Sequence, residues 1–179
     1  MNVLIVYASQ FGSTRGIAEH LGEALRTRGV AVHVAAADAA SQGNVEPFDA
    51  YVVGSAIHGA RWLPAAREFL ELRGKSMADR PVWLFSSGPI GERYVHLEQP
   101  EPKDIPGIRR RLNVRDHVVF AGAFDRKAAD FSGLGWMERN VASRFLPEGD
   151  FRDWDAIAAW AATIASELSL GEVVAVGRK

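Results

Sequence analysis

Cysteine is missing from all 179 residues. That excludes disulfides, thiolate metal sites and dithiol redox chemistry, and no metal centre is expected. Neither sign of charge is in excess: 21 lysines and arginines stand against 22 aspartates and glutamates, a net −1. Nothing therefore marks a polyanion such as nucleic acid as a partner. Long hydrophobic runs are absent too, and none approaches the roughly 20 residues of a membrane-crossing helix. The chain enters an apolar run at once, without the basic and apolar regions of a leader peptide, so a cytoplasmic location is expected. What is present is ordinary for a soluble globular protein: 47% hydrophobic and 24% charged residues. The length suits one domain with a full core.

Short apolar runs alternate with helical patterns. Val3–Tyr7 reads as a buried strand, and 14–28 as a helix with Ile17, Leu21 and Leu25 on one face and Gly29 at its end. Strands are expected at 30–35, 50–54, 82–86 and 118–122, a helix from about Leu63 with Pro64 in its first turn, and a closing helix over 154–168. Strands alternating with helices predict an α/β fold, a parallel sheet covered on both faces. The domain is expected to span 1–170, with 171–179 as a tail that frays or adds an edge strand. Two stretches break the rhythm: 91–111, polar and proline-containing with a short helix near its end, and 124–153, around the apolar-basic piece Leu134–Leu146. Loops this long are more often functional than idle.

The most informative segment is Ser9-Gln10-Phe11-Gly12-Ser13-Thr14, directly after the first strand and opening the first helix. Free N–H groups and the positive end of a helix dipole converge there, where an anion can sit. Three hydroxyls add donors and no lysine or arginine lies inside the loop, which implies a phosphate monoester held by neutral groups. An N-cap with spare serines is the other reading. The loop is neither a Walker A sequence nor a dinucleotide fingerprint. It resembles the phosphate loop of the flavodoxin family, Thr/Ser-x-Thr-Gly-x-Thr, with Phe11 where that pattern carries a hydroxyl. The resemblance implies FMN as cofactor and a three-layer αβα sandwich around a five-stranded parallel sheet of order 2-1-3-4-5.

In such a sheet, ligands bind beyond the carboxyl ends of the strands where the order reverses. The loops leaving strands one, three and four should meet there. The second is Gly54 to Trp62 and the third Ser86 to Glu92, both glycine-containing, so that backbone can approach a flat ring. Ser9, Gln10, Phe11, Gly12, Ser13 and Thr14 would hold the phosphate. Ser55, Ala56, Ile57, His58 and Gly59 would flank the ring, and Ser87, Gly88, Pro89, Ile90 and Gly91 its pyrimidine side. Trp62 and Tyr94 are the aromatics placed to cover the ring or a substrate, or else to pack beneath the loops. His58 is the one weak candidate for proton relay, with a plain surface position as the alternative.

Over nearly its full length the chain resembles the flavodoxin-fold, menaquinone-dependent protoporphyrinogen dehydrogenase family. The matching stretches are Leu4–Thr14, Val52–Leu70, Ala121-Gly122-Ala123-Phe124 and Asp153-Trp154. This implies an FMN-dependent oxidoreductase that passes electrons from a reduced small molecule, a tetrapyrrole, to a quinone or redox-protein acceptor. A flavodoxin-type electron carrier without its own substrate is the alternative. Carriers usually bear an acidic excess around the flavin, whereas the rim loops here hold arginines. Arg93, Arg109, Arg110, Arg111 and Arg126 could clamp substrate carboxylates or form a solvated edge. Leu134–Leu146, with Met137, Val141 and Phe145 four apart, suits peripheral contact with the inner face of the cell membrane, a quinone-channel cover or an ordinary core-facing helix.

Overall fold

The computed structural model describes residues 1–43, 48–88, 100–127 and 147–176. In chain order the elements are β1 (Asn2–Ala8), α1 (Ser13–Arg26), β2 (Ala31–Ala36), α2 (Ala37–Gln42), β3 (Ala50–His58), β4 (Arg61–Trp62) and α3 (Pro64–Met77). They continue with β5 (Val82–Ser87), α4 (Ile105–Arg109), β6 (Val114–Phe120), β7 (Ala123–Phe124), β8 (Gly149–Asp150) and α5 (Trp154–Val176). Five strands pair in parallel in the order β2-β1-β3-β5-β6. This is the expected 2-1-3-4-5 sheet, since β4 is only a two-residue antiparallel partner of β3.

Side chains of a strand alternate between faces, and here both faces are covered, which is why the strands read as unbroken apolar runs. Leu4, Val6, Tyr51, Val53, Val82 and Leu84 pack with Ala66, Phe69, Leu70 and Met77 of α3 and Ile105 and Ile108 of α4. Val3, Ile5, Val52, Trp83, Phe85 and Phe120 pack on the opposite face with Ile17, Leu21 and Leu25 of α1 and Ile157, Ala161, Ile164 and Leu168 of α5. Gly54 pairs with Tyr7 and Phe85 on either side, and a methyl group there would overlap the Phe85 ring.

Four differences from the sequence reading matter. β3 does not stop at Gly54 but runs to His58, because Ser55 and Ala56 still pair with β5, and Ile57 and His58 fold back onto Trp62 and Arg61. Ser55 to His58 are therefore strand, not loop. β6 begins at Val114, before the expected Val118, and ends at Phe120. It carries a bulge: Val82 pairs with Val114 and Trp83 with Asp116, leaving Arg115 as the extra residue. The bulge turns Asp116 toward α5, where its carboxylate accepts the Trp160 indole N–H at 2.8 Å, and His117 toward the other face. The closing helix continues past Leu168 to Val176, so 171–176 is helix, neither frayed nor an edge strand. Finally, α2 follows β2 without a turn that the sequence announces.

Candidate functional site

The sheet order reverses between β1 and β3, and the hydroxyl loop leaves β1 at that point. Gly12 turns the chain into α1 at φ 84, a left-handed conformation that side chains beyond glycine rarely adopt. No side chain caps α1, so its first-turn N–H groups face outward without a side-chain acceptor. The hydroxyls divide in two. Ser13 Oγ accepts the Ala123 N–H at 2.9 Å and lies 3.1 Å from Ser87 Oγ. It thereby ties the start of α1 to the end of β5 and the start of β7. Ser9 Oγ and Thr14 Oγ1 are buried without a hydrogen-bond partner among the described residues. Buried polar groups are normally paired, so two orphaned hydroxyls flanking an uncapped helix start fit a ligand that supplies acceptors. Phe11, in place of the third hydroxyl, sets its ring edge-on to Phe124 with centroids 5.2 Å apart.

The second loop is a hairpin. Gly59 and Ala60 have φ 58 and φ 61, the positive pair of a two-residue turn between β3 and β4. His58, Gly59 and Arg61 are exposed; Ala56 and Ile57 are half-buried. Ile57 lies against Gly88, so the ends of β3 and β5 meet as expected. The His58 imidazole has no hydrogen-bond partner among the described residues. Two expected ring contacts are corrected. Trp62 is 1% exposed in the core, and its indole N–H donates to Ser86 Oγ at 2.8 Å, so it offers no free face to a ring. Ser55 Oγ accepts the Leu63 N–H at 2.9 Å and donates to the Ala56 carbonyl at 2.8 Å, which fastens the hairpin, and the residue is fully buried away from the ring position. Pro89, Ile90, Gly91, Arg93, Tyr94 and the Leu134–Leu146 segment lie outside the described residues, as does the tail beyond Val176.

Sequence reasoning missed the groups that brace these loops. Asp104 accepts the Trp62 backbone N–H at 2.8 Å and pairs with Arg61 at 3.1 Å. His117, on β6, places Nε2 2.9 Å from Ser86 Oγ and Nδ1 3.3 Å from Glu101, which also holds Arg109 at 2.9 Å. Burial pushes the His117 pKa below its ordinary value, against an opposing pull from Glu101. Arg152 grips Asp150 with Nε at 2.8 Å and Nη2 at 2.6 Å, lies 4.3 Å over the Trp154 ring and reaches the Ser13 carbonyl at 3.5 Å. Its hydrogen bonds hold the Asp150 carboxyl below the usual range. The partners sit up to 139 residues apart, and no local pattern links them. Among the described residues no group of histidine and carboxylate side chains could hold a metal ion, and no helix is long and apolar enough to cross a membrane.

A doubly wound sheet with a hydroxyl-lined anion site at its reversal point defines the class: an α/β protein that binds a phosphorylated cofactor. Residues 4–143 match the family model described as a flavodoxin domain, and the chain belongs to that family. Membership implies FMN as the cofactor, and the orphaned Ser9 and Thr14 hydroxyls fit its phosphate. Solved structures agree on the fold. A flavodoxin from the domain Archaea is 18% identical with a TM-score of 0.59, over 94% of this chain and 99% of that one. A Streptococcus pneumoniae flavodoxin is 16% identical with a TM-score of 0.59, over 93% and 99%. Rubredoxin oxygen:oxidoreductase from Desulfovibrio gigas is 16% identical with a TM-score of 0.56, over 94% of this chain but 36% of that one. No curated protein matches the chain.

Proposed function

We propose that this flavodoxin-domain protein is an FMN-dependent oxidoreductase that moves electrons from a reduced small molecule to a quinone-type acceptor. The observation that carries the flavin reading is the pair of buried, unpartnered hydroxyls on Ser9 and Thr14 beside the uncapped start of α1. FMN, when bound, supplies one- and two-electron redox chemistry. The chain supplies the rest: Ser9 to Thr14 hold the phosphate, while Ile57 lies beside Gly88 where the β3 and β5 ends meet. Each electron pair and two protons taken from the substrate appear as one quinol. The protoporphyrinogen–menaquinone couple is the pairing that the full-length resemblance supports.

A second reading, an electron carrier without its own substrate, is favoured by one observation. The single-domain flavodoxins are matched over 99% of their length, with no large addition to house a substrate. Anaerobic mixing of the FMN-loaded protein with protoporphyrinogen and a menaquinone analogue separates the two. Turnover of both supports the oxidoreductase; exchange with redox-partner proteins alone supports the carrier. A protein that takes up no FMN sinks both.

A further inference from the structure

A continuous polar chain runs beneath the site from the hairpin to the surface: hydrogen bonds link Trp62, Ser86 and His117, and ion-pair contacts link His117, Glu101 and Arg109. Its protonation state follows from counting hydrogens. Trp62 Nε1 can only donate, so it takes one lone pair of Ser86 Oγ at 2.8 Å. Glu101 is an acceptor, so His117 Nδ1, 3.3 Å away, carries a hydrogen toward it. The Ser86 hydroxyl hydrogen then has one acceptor within reach among the described residues, His117 Nε2 at 2.9 Å. The neutral Nδ1–H imidazole satisfies every member. A proton added at Nε2 reverses the last bond: two donors would then face Ser86 Oγ, and its own hydrogen would have no acceptor. Ser86 is fully buried, so water cannot supply one.

We propose that His117 is a positioning residue for the FMN site, whose protonation at Nε2 releases Ser86 and loosens the β5 end that meets the phosphate loop. The inference rests on the FMN reading above. The route is short. Ser86 is followed by Ser87, whose hydroxyl meets Ser13 Oγ at 3.1 Å, and Gly88 beyond it packs on Ile57. The same hydroxyl of Ser86 anchors Trp62, hence the β3–β4 hairpin. Charged groups face His117 from each neighbouring element: Glu101 from the segment before α4, Arg109 from α4 and Asp116 from β6 itself, with none from β5. Glu101 and Asp116 favour the cation, whereas burial and Arg109 oppose it. Binding FMN and binding this proton therefore compete.

Two measurements test this. Imidazole ¹⁵N shifts of the unmodified protein at pH 7.5 should show His117 as the neutral Nδ1–H tautomer; an Nε2–H tautomer or a cation overturns the proposal without any variant. FMN affinity, read by fluorescence quenching from pH 5 to 8, should fall in acid by up to about tenfold per pH unit more in the wild type than in His117→Gln. The titration of the FMN phosphate is common to both proteins and cancels in that comparison. Ser86→Ala should flatten the extra dependence in the same way. Identical pH profiles in all three proteins overturn the proposal and leave the FMN reading intact. Absence of FMN binding at every pH overturns both.

Discussion

Thr14 and Ser13 are adjacent hydroxyls with opposite duties. Ser13 holds the fold, since its oxygen gathers Ala123 and Ser87, while the buried Thr14 hydroxyl has no partner among the described residues. An unsatisfied buried hydroxyl costs roughly 1–3 kcal/mol, and a ligand that pairs it recovers that energy. Thr14→Val should therefore stabilise the cofactor-free protein by about 1 kcal/mol in urea melts and weaken FMN binding about tenfold. A destabilised variant with unaltered affinity would contradict this assignment. The loop was legible because strand, hydroxyls, glycine and helix follow one another within a dozen residues. The braces were not. Asp104 reaches Trp62 across 42 residues and His117 reaches Ser86 across 31, with Glu101 behind His117, and only the folded sheet brings them together. Trp62 misled for a physical reason: an indole near a ligand loop can stack or be buried, and the decision belongs to Ser86, which takes its N–H.

At the scale of elements, the sequence was clearest where both faces of a strand are apolar and least clear where polarity enters. Gly54 looks like the end of β3, yet it is a packing glycine in mid-strand, required by the Phe85 ring. Arg115, Asp116 and His117 look like loop, yet they lie in β6, whose bulge sends Asp116 and His117 to opposite faces. The hairpin turn that follows β3 holds a residual strain. Ala60 sits at φ 61, a conformation that costs a side chain roughly 1–2 kcal/mol. Ala60→Gly removes the Cβ at a site where Gly59 already makes the matching turn. After the loss of chain entropy, it should gain about 0.5 kcal/mol in denaturant melts. Ala60→Val should lose more than that, and its failure to do so would mean the turn differs from the one described.

For the whole molecule, alternation of buried strands with amphipathic helices was enough to expect a parallel sheet covered on both faces, whereas the order β2-β1-β3-β5-β6 was implied by the resemblance of the hydroxyl loop. The near balance of charge leaves acid stability to a few placed groups. His117 is held below its ordinary value of 6.5, so its contribution is complete above that pH and is lost as pH falls through it, because the unfolded chain then binds the extra proton. Asp150, held below 3.8 by Arg152, adds a loss of the same sign at lower pH. The unfolding free energy from urea melts should therefore drop between pH 7 and pH 5 with a slope of at most about 1.4 kcal/mol per pH unit from His117. His117→Gln should remove that slope and leave the one nearer pH 4.

The knot at Ser13 joins positions 74 and 110 residues apart in the chain. Contacts so distant in sequence are assembled only after the intervening strands have docked. The meeting of the cofactor loops is thus among the last features to appear as the polypeptide collapses and among the first to vanish when an edge strand lets go. Early intermediates would carry most of the sheet and none of the binding capacity.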